Sequence, residues 1–188
     1  FFFSSRRRHT RCSRDWSRRV LFRSIQEGNK LYKNVEQPLS QGKEVGTVSS
    51  ERGGMSGKQK KTADKALQGD LARLRGKGAI SGYKSARGRY QYAEPKAGES
   101  GIAKEKSYVV RSGEGSKQKH FGKIMTALGK RYGQESIMKV KSNKSAEYHY
   151  PSEKGKVDNQ GKITYNKPLS TGGGDTSFAG KQSFTTKK

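Results

Sequence analysis

The sequence predicts an α+β protein, a two-layer sandwich in which two helices cover one face of a four-stranded sheet. Residues 106–111 (KSYVVR) are β-branched and aromatic, which is typical of a strand. Apolar residues then recur at three- and four-residue spacing between Phe121 and Tyr132, the pattern of one helix face. Strand composition returns at residues 136–140. A strand, a helix and a second strand therefore form the centre of the predicted fold.

The other predicted elements extend this unit in both directions. A first helix is expected over residues 62–75, where leucines recur on one face. Two strands follow at residues 79–84 and 88–93, and a hairpin joins residues 136–141 to 146–150 after the second helix. The predicted order is helix, strand, strand, helix, strand, strand.

Composition divides the chain into four parts. Residues 25–57 are polar, balanced in charge and interrupted by Gly and Pro, which predicts a flexible lead-in. Residues 58–150 are the basic α+β domain. Residues 151–188 form a Gly- and Lys-rich tail with an edge strand expected at 162–165.

The first part, residues 1–24, resembles a translated sequencing-adapter fragment of the kind found at the ends of metagenomic reading frames. The stretches FFFSSRRRHTRCSRDWS and VLFRS carry that resemblance, which implies a non-native segment with no part in the fold. It contains the chain's single Cys and single Trp, so the remainder has no thiol for a disulfide, a metal site or a nucleophile. Met55 is then a candidate for the natural start.

The net charge of +25 is concentrated in the predicted domain, where residues 58–150 hold 22 basic and 8 acidic residues. Such a charge favours a polyanionic partner, most often nucleic acid. The alternative is that scattered lysines only solvate the surface. No run of 18 apolar residues exists, so we expect no membrane span and a soluble protein.

Motifs for chemistry are scarce. The Gly- and Lys-containing stretches do not match a phosphate-binding loop. His120 and His149 lack the spacing of metal ligands, so neither a metal nor a cofactor is expected. Glu147 and His149 share one strand face, the minimum geometry for an acid–base pair. This pattern alone does not indicate an enzyme.

An anion-binding site is predicted at the start of the second helix. Ser116, Lys117, Lys119, His120 and Lys123 crowd its first turns, with Ser116 as the expected N-cap. Exposed amides and ammonium groups together would attract a negative group. The alternative is that the lysines extend into solvent at a small electrostatic cost.

A nucleic-acid-binding surface is predicted on the open face of the sheet. Arg87, Arg89, Lys139 and Lys141 would contact phosphates there, and Tyr108 would stack on a base. The alternative is a solvated sheet face covered by long side chains.

Residues 62–165 resemble small proteins encoded by tailed phages and prophages. The stretches GRYQY, EKSYVV, LGKRYGQESI and AEYHY carry the resemblance. It implies a phage accessory protein in the cytoplasm of an infected or lysogenic bacterial host, and it supplies no catalytic residues.

The leading interpretation is a non-enzymatic accessory protein that binds nucleic acid, DNA or RNA, through backbone phosphates. The alternative is a phage anti-defence or minor virion protein whose basic face binds an acidic protein surface. A third hypothesis is a hydrolase or transferase centred on Glu147 and His149. The sequence does not fix the oligomeric state.

Overall fold

The computed structural model describes residues 30–91, 102–153, 155–166, 174–177 and 183–186. The strands are β1 (Val45–Ser49), β2 (Ile80–Gln91), β3 (Ile102–Ser112), β4 (Ile137–Val140), β5 (Ser145–His149), β6 (Val157–Lys162), β7 (Thr164–Tyr165), β8 (Gly174–Ser177) and β9 (Ser183–Thr185). The α-helices are α1 (Gln37–Ser40), α2 (Gly57–Gly76) and α3 (Phe121–Arg131). A π-helical turn (Tyr32–Glu36) leads into α1, and a 3-10 helix (Gly115–His120) leads into α3.

All nine of these strands belong to one antiparallel sheet in the order β6-β5-β4-β1-β3-β2-β8-β9-β7. The two end strands, β6 and β7, are separated in the chain only by Ile163. The Ile163 amide donates to the carbonyl of Lys144, in the β4–β5 turn, over 3.0 Å. The sheet therefore curls until its ends approach each other, and it forms a nearly closed barrel.

The predicted four-stranded sandwich is wrong, although several of its elements are present. The predicted first helix lies within α2, and the predicted strand at residues 106–111 lies within β3. The two strands expected at residues 79–84 and 88–93 are the single long strand β2 as far as Gln91; residues 92 and 93 lie outside the described part. Gly88 does not interrupt β2, because it pairs in register with Glu105.

β1 is the strand that changes the architecture most. It lies between β3 and β4, so that Val45 pairs with Arg111 on one side and with Val140 on the other. Its residues fall in the segment predicted to be a flexible lead-in. The barrel also includes β8 and β9, from the segment predicted to be a tail, and β8 pairs with β2.

Side chains alternate between two apolar clusters on the two faces of the curled sheet. On the outer face, Val48 and Val110 pack against α2 and α3 together with Leu67, Leu71, Ile80, Tyr108, Phe121, Met125, Leu128, Tyr132 and Ile137. On the inner face, Val45, Val109 and Val140 pack against Leu31, Val35 and Leu39 of the N-terminal helical segment. That helical segment therefore fills part of the barrel interior.

The two long helices are joined through a buried carboxylate. Asp70 of α2 is 6% exposed and accepts a hydrogen bond of 2.7 Å from the hydroxyl of Tyr132, which follows α3. Arg131 of α3 forms an ion pair with Asp70 at 3.1 Å, and Arg73 forms another from within α2. A buried carboxylate held by three donors fixes the position of one helix against the other.

Local signals explain where the helices begin. α2 starts at a capping box, in which Ser56 and Gln59 exchange hydrogen bonds between side chain and backbone. The prediction that Ser116 is the N-cap of the second helix is wrong. Ser116 lies inside the 3-10 helix, and α3 begins after His120. Within the described residues, no helix is long and apolar enough to cross a membrane.

Candidate active site

A cavity of about 590 Å³ lies at one end of the barrel. The inner face of the sheet continues into it beyond the apolar cluster, through Thr47 on β1 and Ser107 and Glu105 on β3. The β1–α2 loop and the α3–β4 loop form its rim. Its lining residues are Thr47, Glu51, Arg52, Gly53, Lys60, Gly88, Arg89, Lys104, Glu105, Ser107, Gly133, Gln134, Glu135, Ser136, Met138, Tyr148, Tyr150 and Thr176.

Glu105 is the central acidic group of this cavity. The Ser107 hydroxyl donates to its carboxylate over 3.3 Å. Gly88 lies opposite on β2, and a Cβ atom there would be 2.7 Å from Ser107 Oγ and 3.3 Å from Glu105 Oε1. Burial is the largest cause that raises the pKa of Glu105 above its usual value, and the negative charge of Glu51 adds to it. Glu105 therefore takes up a proton at a higher pH than an exposed glutamate does.

Glu51 is the second carboxylate, and the rim holds it in place. Its amide donates to Ser49 Oγ over 3.0 Å, and its carbonyl accepts from Gln134 Nε2 over 3.0 Å. Lys60 of α2 lies 3.6 Å from its carboxylate. The two loops of the rim are thus bonded to each other at the point where Glu51 enters the cavity.

Arg52 brings a positive charge to the same rim and depends on Gly133. The backbone of Gly133 has φ +60°, and a Cβ atom there would lie 2.6 Å from Arg52 Nη1. Only glycine combines this left-handed conformation with so close an approach of the guanidinium. Lys60, Arg89 and Lys104 also line the cavity, so its lining holds four cations beside the carboxylates of Glu51, Glu105 and Glu135.

Two tyrosines on or next to β5 supply the aromatic part of the lining. The Tyr150 hydroxyl donates to Asp158 Oδ2 over 2.7 Å, and Lys156 Nζ lies 4.6 Å from the centre of the Tyr150 ring. The Tyr148 hydroxyl lies 3.2 Å from Thr186 Oγ1. These contacts fix both rings, which gives the cavity a rigid apolar surface.

The described residues contain no group of three or more His, Cys, Asp and Glu side chains that could hold a metal ion. The cavity therefore offers carboxylates, cations and aromatic rings as its chemical groups. This set suits an organic ligand that carries charges of both signs next to a planar ring.

The residues predicted to bind nucleic acid differ in exposure and in their partners. Tyr108 is 3% exposed and donates from its hydroxyl to Asp64 over 2.6 Å, so its ring has no face for a base. Lys139 forms an ion pair with Glu44 at 3.2 Å, and Lys141 forms one with Glu147. Arg87 and Arg89 are exposed on β2, and Arg89 lines the cavity.

The residues predicted to bind an anion, Ser116, Lys117, Lys119, His120 and Lys123, lie in or just after the 3-10 helix. Lys117 Nζ donates to the carbonyl of Lys77 over 2.7 Å, so this ammonium caps the end of α2. None of the five lines the cavity. Anion binding at this position stays a prediction.

Glu147 and His149 are close to each other but lie outside the cavity lining. His149 Nε2 is 3.3 Å from Glu147 Oε2. Burial raises the pKa of Glu147, but the hydrogen bonds from Lys141 and His149 outweigh it and hold the pKa below its usual value. Glu147 is therefore an ion-pair partner on the outer face of the sheet, next to Lys139 and Lys141.

The carboxylates of the cavity were missed in the sequence. Glu105 stands among lysines in the stretch KEKS, where it resembles a surface charge. The available signal was the period of two in β3, which places Glu105, Ser107 and Val109 on one face. Val109 belongs to the inner apolar cluster, so that face points into the barrel, and an acid there is unusual.

The sequence matches the model of the S-Adenosylmethionine lyase family over residues 46–187. Among solved structures, a phage SAM lyase in complex with S-methyl-5′-thioadenosine is similar over 63% of this chain and 88% of that chain, with 15% identity and a TM-score of 0.35. No curated protein matches the sequence.

The family match contradicts the predicted function. The family is defined by an enzyme that acts on a small molecule, so the prediction of a non-enzymatic protein that binds nucleic acid is wrong. The alternative, a protein that acts by binding an acidic protein surface, is wrong for the same reason. The expected polyanionic partner is wrong as well, since the family is named for an enzyme that acts on a small molecule.

Proposed function

The chain belongs to the S-adenosylmethionine lyase family, and we propose that it breaks a carbon–sulfur bond of S-adenosylmethionine in the cavity around Glu105. The family match supports this most directly, because residues 46–187 include every residue that lines the cavity. The cavity volume of about 590 Å³ is within the range of pockets that bind small molecules and cofactors.

The chemistry of the substrate defines what the site has to provide. S-Adenosylmethionine joins an adenosine to a methionine through a positively charged sulfonium. When the bond from sulfur to the methionine side chain breaks, the sulfur leaves as a neutral thioether. A lyase uses no water, so the carbon is satisfied from within the substrate. Either its own α-carboxylate closes a ring onto that carbon, or the neighbouring carbon loses a proton.

Glu51 and Glu105 are suited to hold the sulfonium. They lie with a third carboxylate, Glu135, in one partly dehydrated cavity, where the attraction between opposite charges is stronger than in water. A bound sulfonium in turn lowers the pKa of Glu105 and keeps it ionised. The sulfonium is therefore expected at the carboxylates, in a lining that holds four cations and three carboxylates in all.

The role of Glu105 in the chemical step depends on the route. In ring closure the positive charge disappears as the thioether leaves, so Glu105 contributes to binding and its loss raises KM. In elimination Glu105 is the group proposed to accept the proton. Its raised pKa makes its carboxylate a stronger base than that of an exposed glutamate. Loss of Glu105 then lowers kcat.

Tyr148 and Tyr150 are suited to contact the adenine. Tyr150 carries Lys156 on its ring and Asp158 on its hydroxyl, so the ring is held before a ligand arrives. Stacking of a base on an aromatic ring contributes about 1–3 kcal/mol. We expect Tyr150→Leu to raise KM for the substrate by about tenfold.

The activity is tested by incubating the purified protein with S-adenosylmethionine and following the thioether nucleoside by mass spectrometry. Substrate with two deuterium atoms on the β-carbon of its methionine part separates the two routes when the amino-acid product is weighed, because elimination loses one deuterium and ring closure keeps both. Glu105→Gln is the matched control, since it keeps the shape of the side chain and removes its charge. If wild-type protein releases no more nucleoside than buffer does, the proposed function is wrong.

We also propose which kind of genome encodes the protein and where in the cell it acts. The stretches GRYQY and AEYHY support a protein encoded by a phage or prophage. S-Adenosylmethionine is made and used inside cells, so we propose that the protein acts in the cytoplasm of the bacterial host.

A further inference from the structure

Ser49, the last residue of β1, carries a buried hydroxyl between two carboxylates of the cavity. It pairs with Ser107 across the β1–β3 ladder, so its side chain lies on the same inner face of the sheet as Ser107 and Glu105. Glu51 follows two residues later, and Ser49 is only 1% exposed. The Ser49 hydroxyl therefore lies where the segments that carry Glu51 and Glu105 meet.

The hydroxyl of Ser49 connects these two segments through hydrogen bonds. It accepts from the Glu51 amide over 3.0 Å and donates to the carbonyl of Lys106 over 2.8 Å. The neighbouring carboxylate of Glu105 is a second acceptor. Burial raises the pKa of Glu105, whereas hydrogen bonds from Ser49 and Ser107 lower it. A hydroxyl has one proton, so Ser49 donates to only one of its two acceptors at a time.

The charge of Glu105 decides which acceptor takes that proton. A hydrogen bond to an ionised carboxylate is roughly twice as strong as one to a neutral carbonyl. The hydroxyl hydrogen rotates about the Cβ–Oγ bond and points to the stronger acceptor. Protonation of Glu105 removes the difference, and the hydroxyl then donates to the Lys106 carbonyl.

We propose that Ser49 is a positioning residue for both carboxylates: it holds the main chain of Glu51 and donates its proton to Glu105 when that group is ionised. The inference rests on the proposed function, in which ionised Glu105 binds the sulfonium or accepts a proton. A donor that acts on the ionised form keeps a buried carboxylate charged over a wider pH range. Ser49 is not part of the cavity lining, so it acts through the two glutamates.

The charged groups that line the same cavity also act on Glu105. Among the described residues these are Glu51, Arg52, Lys60, Arg89, Lys104 and Glu135, with Tyr148 and Tyr150 as further titratable groups. Negative charges raise the pKa of a carboxyl group and positive charges lower it. A substitution that changes none of these residues isolates the contribution of the Ser49 hydroxyl.

The test compares Ser49→Ala and Ser49→Thr with Ser50→Ala. Thr keeps a hydroxyl on a side chain that suits a strand. Ser50 is the matched control, because it is 2% exposed and its hydroxyl has no hydrogen-bond partner in the described part of the chain. Ser49→Cys keeps the volume with a much weaker donor, and it replaces Ser49→Ala if the alanine variant does not melt cooperatively.

Two measurements report the charge of Glu105. The first is the carbon-13 shift of its side-chain carboxyl as a function of pH, assigned by the loss of this signal in Glu105→Gln. The second is kcat/KM for S-adenosylmethionine over the same pH range. We expect Ser49→Ala to move the carboxyl titration and the acid limb of kcat/KM up by about one pH unit, the equivalent of one hydrogen bond to a charged group. Ser49→Thr and Ser50→Ala should titrate as wild type.

Equal titration of the Glu105 carboxyl in Ser49→Ala and Ser50→Ala would overturn the inference, because the proton of Ser49 would then not reach Glu105. A folded Ser49→Thr variant that shifts as far as Ser49→Ala would overturn it too, since a hydroxyl is still present. If wild type does not cleave S-adenosylmethionine, the proposed function fails, and the carboxyl titration still decides whether Ser49 donates to Glu105.

Discussion

Gly88 determines how closely Glu105 can lie against β2. A Cβ atom at this position would be 2.7 Å from Ser107 Oγ and 3.3 Å from Glu105 Cγ, which is too close for the present arrangement. We expect Gly88→Ala to displace the Glu105 carboxylate, to reduce kcat/KM by about tenfold and to cost about 1–3 kcal/mol of stability. Turnover of S-adenosylmethionine and urea unfolding measure the two effects.

Gly69 provides the matched control for this substitution. It lies within α2, and a Cβ atom there would have no neighbour within 4 Å. Gly69→Ala should therefore leave kcat/KM unchanged and stabilise the protein by up to about 1 kcal/mol. If both alanine variants keep full activity, close packing at Gly88 has no role in placing Glu105.

Glu105 should make the stability of the protein depend on pH. Its pKa in the folded state is raised by burial, so the folded chain binds the proton more tightly than the unfolded chain does. The stabilisation from this group is therefore complete below the unfolded pKa, about 4.3, and is lost as pH rises through the folded pKa. Glu105→Gln cannot ionise and should melt at a higher temperature than wild type at neutral pH.

The difference in melting temperature between Glu105→Gln and wild type should shrink as the pH is lowered and should vanish below about pH 4. A difference that is constant from acid to neutral pH would show that the charge of Glu105 is not the cause. kcat/KM should respond in the opposite sense, since the carboxylate binds the sulfonium or accepts the proton, and it should fall as pH drops through the raised pKa of Glu105.

At the scale of elements, the contact between α2 and α3 depends on Asp70. Replacement by Ala leaves the Tyr132 hydroxyl without its acceptor and removes the ion pair with Arg131. Arg131 is 62% exposed, so no buried charge is left behind, and the main cost is a buried hydroxyl without a partner, about 1–3 kcal/mol. We expect Asp70→Ala to lower the free energy of unfolding by about that amount, as measured by urea denaturation.

The variant Arg73→Ala is the control, because it removes only an exposed ion pair to Asp70. The Arg73 side chain is 59% exposed although it also contacts Asp70, so Arg73→Ala should cost at most about 1 kcal/mol. Comparable losses in Asp70→Ala and Arg73→Ala would mean that the link between the helices contributes little to stability.

The sequence predicts those elements that have a strong period of their own. Phe121 and Met125 mark the buried face of α3, and the β-branched run around Val109 marks β3. β1 is short and carries Gly46 in its middle, where a larger residue would meet Met125 at 2.8 Å. Its strand conformation comes from pairing with β3 and β4, a long-range contribution that local composition does not reveal.

At the scale of the whole molecule, the site exists only because the sheet curls. Glu51 follows β1, Glu105 lies on β3, Gln134 follows α3 and Tyr148 lies on β5. Pairing of β1 with β3 already places Glu51 next to Glu105, but Tyr148 lies two strands beyond β1 and lines the same cavity because the sheet curls. The sequence contained every residue of the cavity, but nothing in their spacing showed that they would meet, because strand order and closure are set by pairings across the chain.

The N-terminal helical segment and β1 should therefore be required for folding. Leu31, Val35 and Leu39 are at most 2% exposed in the barrel interior, and β1 is a central strand with a partner on each side. Loss of one buried leucine costs about 2–5 kcal/mol, so loss of all three exceeds the stability of a typical domain. A chain that starts at Met55 should lack a cooperative unfolding transition.

A chain that starts at Ile25 is the control, since it keeps both elements and removes only the adapter-like residues 1–24. It should melt cooperatively and cleave S-adenosylmethionine at the rate of the full chain, as measured by circular dichroism and by release of the thioether nucleoside. Cooperative melting of the chain that starts at Met55 would show that the barrel closes without β1. The cavity would then need another wall in place of Thr47, because that residue belongs to the missing strand.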